Sequence, residues 1–413
     1  MTSKTLCSNL WGHAVVDFSQ QRTRACCKTF SLSITNEEVE TLGKDIFLNH
    51  SVLIADRKEM LAGGKPERCN VCWKMEDEGS FSYRDGPAAW EKYFEPYKDN
   101  TTDFTRSEFP DNLDIQLDNY CDLKCIYCNE EFSTQWESEK IKYNDYLIPR
   151  STTAHPELEN IFFDWFEERK MSFTKRIAFL GGEPLISPIF YNYFERILNA
   201  YQGVFPPILE FNIITNLNTS QIYMDKFWAL LETYAPLVKI NVNISMESWG
   251  PRAELIRSNV NFERFVNNFE RLGGSHTNII LSTITSVNLL CLSSLADYLR
   301  FILDLERRHN RPIIIYPNLV SNPEWLTVGL APSSFFDRYI KECIELLRPF
   351  EHHRTYFEFL QTLESKFNFK EHKGSELHMR FIREIDKIAT RRNVSYQKTF
   401  QEYGYIWDAS LEP

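Results

Sequence analysis

Three cysteines stand close together in the stretch CDLKCIYC, and their thiols could bind a metal centre. They are Cys121, Cys125 and Cys128, in the spacing Cys-x3-Cys-x2-Cys. A structural zinc site takes four protein ligands, and a disulfide takes two thiols. A set of three therefore favours a metal centre that keeps one position open for another molecule.

The remaining cysteines fall into two groups. Five lie near the start of the chain, namely Cys7, Cys26, Cys27, Cys69 and Cys72. Two others, Cys291 and Cys343, stand alone, and we expect them to be small buried hydrophobic residues. The pair His352 and His353 lies in a helical pattern and is expected at the surface rather than on a metal.

Composition limits the class of protein. The chain has 413 residues, 43% of them hydrophobic, and a net charge of −11, which allows a large core and more than one domain. The acidic balance argues against broad binding to nucleic acid or to anionic membranes. Without a signal pattern or a long apolar run, the sequence predicts a cytoplasmic protein, in which clustered cysteines indicate metal ligands rather than disulfides.

Strands and helices alternate from residue 111 onward. The predicted strands are Leu113–Leu117, Arg176–Leu180, Leu209–Thr215, Val238–Ser245, Asn278–Thr285 and Pro312–Leu319. Amphipathic helices are predicted at Pro188–Tyr201, Gln221–Tyr234, Phe262–Leu272, Leu292–Arg308 and Ser333–Arg348. Repeated strand–helix units of this kind indicate an α/β fold with a parallel sheet. We expect a partial (β/α)6 TIM-like barrel at 111–320, a small cysteine-rich N-terminal module at 1–105, and a helical C-terminal extension at 321–413.

Two predicted strands carry one polar face. Asn241, Asn243, Ser245 and Glu247 alternate with apolar residues in KINVNISMES, and NLDIQLDN alternates in the same way. A parallel strand covered on both faces is usually apolar throughout. The polar face therefore favours a cavity that holds a polar ligand over a hydrated sheet surface.

The cysteine triad follows the first predicted strand, where βα folds place their active sites. Taken with the segment AFLGGEP after the second strand, this arrangement resembles the radical S-adenosylmethionine (radical SAM) enzymes. Their hallmark is the same triad, with an aromatic residue before the last cysteine, where this chain has Tyr127. The resemblance implies that Cys121, Cys125 and Cys128 bind a [4Fe–4S] cluster whose fourth iron binds S-adenosylmethionine (SAM).

The resemblance extends to residues after later strands. It implies that cofactor contacts come from Gly181, Gly182, Glu183 and Pro184 in the GGEP motif, Asn216 in IITNLN, and Asn243, Ser245 and Glu247 in NVNISMES. Arg257 matches an arginine often found soon afterwards; it could pair with a carboxylate or be a solvated residue on a helix face. In this family the reduced cluster cleaves SAM, and the resulting 5′-deoxyadenosyl radical abstracts hydrogen from the substrate. An external electron donor such as flavodoxin or ferredoxin is then expected.

The N-terminal stretch CNVCWKMEDEGSFSYR is similar to a radical SAM subgroup whose SPASM- or twitch-like auxiliary-cluster region precedes the barrel. That resemblance implies a second [4Fe–4S] cluster with the ligands Cys7, Cys27, Cys69 and Cys72, and with Cys26 as the alternative to Cys27. Four thiols also suit a structural zinc ion, which stays open as the alternative.

The sequence therefore predicts a radical SAM enzyme, of oxidoreductase or isomerase type, that acts on a polar substrate. A peptide is favoured, and a nucleotide- or sugar-linked small molecule is the alternative. Two other classes stay open: a non-catalytic scaffold or binding module stabilised by zinc, and a SAM-dependent methyltransferase without radical chemistry. No residue for proton transfer can be named from the sequence.

Overall fold

The computed structural model describes residues 4–77, 82–84, 91, 103–108, 110–147 and 157–407. The chain divides into two compact units, which are described separately. The first unit comprises residues 1–119, 148–213 and 237–239. The second unit comprises residues 120–147, 214–236 and 240–413.

The strands of the described residues lie between His13 and Leu319. They are β1 (His13–Asp17), β2 (Arg22–Arg24), β3 (Leu32–Ser33), β4 (Asn112–Gln116), β5 (Lys124–Cys125), β6 (Arg176–Leu180), β7 (Glu210–Thr215), β8 (Lys239–Ser245), β9 (Arg257–Ser258), β10 (Ile279–Val287) and β11 (Ile313–Leu319). The six strands predicted from the sequence correspond to β4, β6, β7, β8, β10 and β11.

Helices fill most of the intervening chain. They are α1 (Asn9–Gly12), α2 (Asn36–Leu42), α3 (Ile46–Asn49), α4 (Ser51–Leu61), α5 (Asn70–Asp77), α6 (Thr134–Lys142), α7 (Leu158–Arg169), α8 (Phe190–Ala200), α9 (Gln221–Tyr234), α10 (Gly250–Ile256), α11 (Phe262–Gly273), α12 (Leu295–His309), α13 (Ser333–Phe335), α14 (Lys341–Leu347), α15 (Arg354–Thr362), α16 (Phe369–His372), α17 (Glu376–Arg392), α18 (Tyr396–Thr399) and α19 (Gly404–Trp407). Short 3₁₀ turns include Pro184–Ile186, Leu289–Ser294 and Glu351–His353.

The first unit contains a parallel set of strands. β4 pairs in parallel with β1 and with β6, and β6 pairs in parallel with the start of β7. Antiparallel β2 and β3 extend this set beyond β1. On β6 the apolar face contacts α8, where the ring of Phe179 lies 5.6 Å from that of Phe190 and 5.2 Å from that of Phe194. β1 was not among the predicted strands.

The second unit contains the later parallel strands. β10 pairs in parallel with β8 on one side and with β11 on the other. α11 and α12 carry buried apolar stripes, as crossover helices of a parallel sheet should. The predicted α/β class with a parallel sheet is thus confirmed, and the strands that the structure describes do not close into a barrel. The predicted domain boundaries stay a prediction.

Two further sequence expectations concern burial. Cys291 and Cys343 are fully buried, as predicted for small hydrophobic residues. His353 is also buried, so the expectation that both His352 and His353 lie at the surface is wrong for one of them. Within the described ranges, each helix is too short or too polar to cross a membrane.

Candidate functional site

The cysteine loop lies in the second unit and is fixed mainly by backbone pairing. Cys125 is the last residue of β5, which pairs with β9 so that Cys125 faces Arg257 and Lys124 faces Ser258. The amide of Ile126 donates to the carbonyl of Ile256 at 2.9 Å, which continues the pairing beyond Cys125. The amide of Cys128 donates to the carbonyl of Cys125 at 3.0 Å, which turns the loop between these two cysteines.

The start of α6 holds the same loop from another side. Ser133 caps this helix and also donates from its hydroxyl to the carbonyl of Leu123 at 2.5 Å. The amide of Cys121 donates to the hydroxyl of Thr134 at 3.3 Å, and the indole of Trp136 donates to the carbonyl of Cys125 at 2.8 Å. These contacts fix the backbone of the triad before any metal binds.

A buried ion pair lies next to the loop. Arg257 makes two hydrogen bonds to the carboxylate of Glu247, at 2.6 and 3.2 Å, and Tyr127 donates to the same carboxylate at 3.1 Å. Glu247 is 0% exposed and Arg257 is 4% exposed, so Arg257 is not a solvated residue on a helix face, and its predicted contact with the cofactor stays a prediction. Burial opposes the charge of Arg257, but the Glu247 carboxylate outweighs it and holds the pKa of Arg257 well above its ordinary value.

The guanidinium of Arg257 also approaches a cysteine. Its Nη1 lies 4.0 Å from the sulfur of Cys125, within reach of a weak charge-assisted contact. A fixed positive charge at this distance favours a thiolate over a thiol. Glu247 and Tyr127 therefore orient a charge toward the cysteine loop, and the predicted contact of Glu247 with SAM stays a prediction.

Asn216 meets the first cysteine through a small polar cluster. Its side-chain amide donates to Asp122 at 3.0 Å and lies 3.9 Å from the sulfur of Cys121. Asn218 donates to the other oxygen of Asp122 at 2.7 Å. Asp122 and Asn218 were not among the predicted site residues, although both stand inside motifs that the sequence singles out, CDLKC and TNLN.

Asn241 and Asn243, on the polar face of β8, are buried and lie within hydrogen-bonding distance of β10. The hydroxyl of Ser282 on β10 lies 2.6 Å from the amide oxygens of both Asn241 and Asn243. Ser245 is half-buried near the end of β8, opposite Ile284. The alternation predicted for β8 is therefore present, and the cavity that it was taken to line stays a prediction.

The GGEP segment lies in the first unit, directly after β6. Gly181 has a φ of 147°, and a Cβ placed there would lie 2.6 Å from the carbonyl oxygen of Asp118. The amide of Gly182 donates to that same carbonyl at 2.8 Å. Glu183 caps the following 3₁₀ turn by accepting from the amide of Leu185 at 3.0 Å, and Pro184 occupies its first position. Glycine at position 181 is thus required by both conformation and space.

We expect Gly181→Ala to destabilise the protein by about 3 kcal/mol or more, because backbone strain of roughly 1–3 kcal/mol combines with a clash against immobile backbone. Gly203→Ala is the matched control, since Gly203 has a φ of 80° and nothing within 4 Å of the added Cβ. Thermal unfolding of the two cluster-free variants measures the difference. Equal losses of stability would show that the contact with Asp118 is unimportant.

Four of the five N-terminal cysteines meet in the first unit. Cys7, Cys26, Cys69 and Cys72 line one small cavity, whereas Cys27 is exposed and does not line it. The backbone turns sharply after Cys26, whose carbonyl accepts from the amide of Thr29 at 3.2 Å. The geometry therefore favours Cys26, the alternative in the predicted ligand set, over Cys27.

Arg84, which follows Cys72 in the chain, forms hydrogen bonds to the backbone that precedes Cys7. Arg84 makes a bidentate ion pair with Glu76 and donates to the carbonyls of Lys4 and Leu6 at 3.0 and 2.9 Å. Its guanidinium also lies 4.7 Å from the ring centroid of Trp73. Arg84 thus connects α5, which carries Cys72, to the backbone next to Cys7.

Burial keeps several of these thiols protonated when no metal is bound. It raises the pKa of Cys128 to about 12 and that of Cys69 to about 12, and it also raises the pKa of Cys125. A cation that binds these sulfurs must displace their protons.

The spacing of the cysteine sulfurs shows whether either set is already arranged to bind a single zinc ion. Zinc–sulfur bonds of about 2.3 Å place tetrahedral sulfurs roughly 3.8 Å apart. Among the residues that the structure describes, the sulfurs of Cys121, Cys125 and Cys128 do not all lie within 4.8 Å of one another. Nor do any three of the four cysteines in the N-terminal cavity. Neither set of described sulfurs is therefore already spaced for a single tetrahedral zinc ion.

Arg392, at the end of α17, was missed by the sequence reasoning. It donates to both oxygens of Glu139 at 3.1 and 3.3 Å, to the carbonyl of Lys124 at 3.0 Å and to the hydroxyl of Ser258 at 2.7 Å. Its guanidinium lies 4.6 Å from the ring centroid of Trp136. Arg392 therefore joins β5, β9 and α6 around the cysteine loop, and its neighbour Arg391 pairs with Asp145.

Comparison with known proteins places the central region in a family. The model of the radical SAM superfamily matches residues 115–302. No curated protein matches the chain.

Several solved structures share a distant likeness. Native anSMEcpe with bound AdoMet and Cp18Cys peptide has 16% identity, over 57% of this chain and 58% of that chain, with a TM-score of 0.36. Streptococcus suis SuiB bound to precursor peptide SuiA has 15% identity, over 70% and 57% of the two chains, with a TM-score of 0.36. TYW1 with a lysine–pyruvate adduct has 15% identity, over 55% and 70%, with a TM-score of 0.29. The chain spans less than two thirds of the length of the first two.

Proposed function

Residues 115–302 belong to the radical SAM superfamily, and on this basis we propose that the chain is an enzyme that cleaves SAM reductively and abstracts hydrogen from a polar substrate. The observation that carries this proposal is the triad itself. Cys121, Cys125 and Cys128 lie on one loop whose backbone is held by β9 and α6.

In this proposal Cys121, Cys125 and Cys128 would hold a [4Fe–4S] cluster, and SAM would bind beside it. When bound, the two cofactors supply a 5′-deoxyadenosyl radical and so carry the difficult chemistry. The protein contributes orientation and charge. Arg257 holds a positive charge 4.0 Å from the sulfur of Cys125, and Glu247 and Tyr127 fix the direction in which that guanidinium points.

The remaining predicted contacts with SAM form part of the same proposal. The backbone of Gly181 and Gly182 and the side chain of Glu183 are assigned to the methionine amino group through the family resemblance. Asn216, Asn243 and Ser245 are assigned as companions on the strands that follow. The close approach of Gly181 to the Asp118 backbone supports a role for the backbone of this turn, because a side chain at position 181 would clash with Asp118.

The N-terminal cysteines are proposed to hold a second [4Fe–4S] cluster, in a twitch- or SPASM-like module. The cavity supports the set Cys7, Cys26, Cys69 and Cys72, with Arg84 fixing the backbone beside Cys7. A structural zinc ion is the alternative for the same four thiols, although no three of these described sulfurs all lie within 4.8 Å of one another.

Alanine substitutions of Cys26 and Cys27 are expected to have opposite effects on the iron content of the N-terminal centre. In a background with Cys121, Cys125 and Cys128 changed to alanine, only the N-terminal centre can bind iron. We expect Cys26→Ala to remove its iron and sulfide and Cys27→Ala to retain them, because only Cys26 lines the cavity. Iron and sulfide analysis after anaerobic reconstitution measures both. Retention in the Cys26 variant together with loss in the Cys27 variant would reverse the assignment.

A peptide is proposed as the substrate, with a nucleotide- or sugar-linked molecule as the alternative. Gln116 and Asn212 lie on the polar face of the parallel strands in the first unit and are 1% and 8% exposed. Among the described residues, the amide nitrogen of Gln116 and the amide oxygen of Asn212 have no hydrogen-bond partner. One buried donor and one buried acceptor suit a ligand that carries amide groups, since unpaired buried polar groups are costly.

The substrate class can be tested without a known substrate. Extracts from cells grown in deuterated medium are separated into peptide and small-molecule fractions, and each is incubated with the enzyme and SAM. We expect deuterium in 5′-deoxyadenosine with the peptide fraction. Deuterium transfer from the nucleotide and sugar fraction alone would favour the alternative substrate class.

The activity itself is tested on the reconstituted protein with SAM and dithionite, which replaces the flavodoxin- or ferredoxin-type donor proposed for a cytoplasmic enzyme. We expect iron, sulfide and formation of 5′-deoxyadenosine. Zinc without iron or sulfide, and no 5′-deoxyadenosine, would support a non-catalytic scaffold instead. Methyl transfer that survives Cys121→Ala would support a methyltransferase without radical chemistry.

A further inference from the structure

Three potential metal ligands meet in the second unit, outside the cysteine loop. The Nε2 atom of His352 lies 2.9 Å from one carboxylate oxygen of Glu306, and the Nε2 atom of His353 lies 3.2 Å from the other. One ligand atom from each of the three residues lies within 4.8 Å of the other two. Glu306 comes from the last turn of α12, and both histidines come from the 3₁₀ turn Glu351–His353.

The surroundings hold these groups in place. Glu306 also accepts the backbone N–H of Ile313 at 2.6 Å, which fixes the carboxylate at the start of β11. The ring of Phe350 packs edge-on against both imidazoles, with centroids 5.9 Å away. The side chain of His353 is 0% exposed and that of Glu306 is 9% exposed, whereas that of His352 is 38% exposed. The cluster is therefore oriented and largely dry, with one side open to solvent.

The distances match those between ligands on one small cation. Bonds of about 2.0–2.1 Å from zinc to nitrogen or oxygen place tetrahedral ligands roughly 3.3–3.4 Å apart. The observed separations of 2.9 and 3.2 Å require shifts of only a few tenths of an ångström. A cation could then replace the protons that now lie between nitrogen and oxygen, with the two imidazoles neutral and water completing the coordination.

We propose that Glu306, His352 and His353 form a binding site for a divalent transition-metal ion of the zinc type. Two imidazoles and one carboxylate are the donor set that such an ion accepts, and calcium and magnesium are disfavoured because they take mainly oxygen ligands. A bound ion joins the end of α12, the start of β11 and the turn before α15. It thus stabilises the C-terminal part of the second unit and takes no part in SAM cleavage.

The second ring nitrogen of His353 limits the affinity of this site for a metal ion. The Nδ1 atom of His353 is buried and has no hydrogen-bond partner among the described residues. Histidines on metals usually donate from their second nitrogen to an acceptor, and loss of that contact weakens binding by roughly 10–100-fold. The site therefore binds zinc-type ions more weakly than a fully supported one does, and its occupancy depends on the metal concentration.

The test uses ¹¹³Cd²⁺ as the probe on the full chain with its iron–sulfur clusters loaded. Cadmium held by nitrogen and oxygen resonates far from cadmium held by thiolates, so NMR separates this site from the cysteine sites. We expect one resonance in the nitrogen–oxygen range for the unchanged protein and its loss in His352→Gln. His309→Gln is the matched control, because His309 faces a single carboxylate, Glu270, at 3.8 Å without a second histidine.

Each outcome decides the proposal. Retention of the resonance in His309→Gln and its loss in His352→Gln support the site, provided that the visible absorbance of the clusters shows both variants folded. Glu306→Gln gives a second test if His352→Gln does not fold. Cadmium signals confined to the thiolate range, or a nitrogen–oxygen signal that survives in these variants, would leave Glu306, His352 and His353 as an ordinary hydrogen-bonded cluster. The proposed radical SAM activity is unaffected by either result.

Discussion

Replacing Cys125 with alanine is expected to reduce 5′-deoxyadenosine formation to background. The residue ends β5, and its thiol is one of the three that the loop offers to a cluster. With two protein ligands left, the cluster loses the support that fixes its open iron. Truncating this buried cysteine removes only one sulfur atom from the core, which costs roughly 1 kcal/mol, so the protein should stay folded. Iron content and 5′-deoxyadenosine, measured together, separate loss of the cluster from loss of the fold.

Cys291→Ala is the matched control for this prediction. Cys291 lies in the same unit, is 0% exposed and forms hydrogen bonds with the backbone of Asn288. Its removal should cost a similar or larger amount of stability and leave the iron content and activity intact. If both variants lost activity equally, the effect would reflect packing in this unit and not a cluster bound by the triad.

Replacing Arg257 with methionine is expected to cost about 3–5 kcal/mol of folding free energy, because it leaves the fully buried Glu247 carboxylate without its cation. Tyr127 can supply only one hydrogen bond to that carboxylate. The loss should appear in the thermal unfolding of the cluster-free protein, where no cofactor contributes. This loss of stability is thus measured independently of any contribution that Arg257 makes to cluster binding.

Two further variants sharpen this test. Arg300→Met breaks an exposed ion pair with Glu342, in which the side chains are 48% and 43% exposed, and should cost no more than about 1 kcal/mol. Changing Glu247 to leucine together with Arg257→Met removes both charges and should recover most of the stability. A single Arg257 variant as stable as the Arg300 variant would contradict the buried pairing.

The parallel strands could be predicted because their signals are local. In β8 polar and apolar side chains alternate along consecutive residues, and Gly181, with its positive φ, ends the strand pattern of β6. β1 gave no such signal, since its parallel partner β4 lies about a hundred residues later and no regular strand–helix unit separates them. β1 could therefore be identified only from the three-dimensional structure.

The residues of the candidate site likewise include some with local sequence signals and others without. The spacing of Cys121, Cys125 and Cys128 is local, and it identified the loop. The partners of that loop are distant: Tyr127 reaches Glu247 across 120 residues, and Arg392 reaches the carbonyl of Lys124 across 268. No periodicity in the sequence could reveal these contacts.

Adjacent residues posed a different problem in the N-terminal region. Cys26 and Cys27 are both cysteines at adjacent positions, so no sequence pattern distinguishes the ligand from its neighbour. In the structure Cys26 lines the cavity, whereas Cys27 is exposed. The choice depended on a backbone turn that the sequence does not determine by itself.

The central claim is that SAM completes a cluster held by Cys121, Cys125 and Cys128. Its most direct test is electron–nuclear double resonance on the reduced protein, with SAM labelled by ¹⁵N at the amino group and by ¹⁷O at the carboxylate. To exclude the N-terminal centre, the protein carries alanine at Cys7, Cys26, Cys69 and Cys72. We predict hyperfine coupling from both labels to the remaining cluster. A reduced cluster without coupling from either label, or no iron–sulfur cluster at all in this variant, would contradict the account.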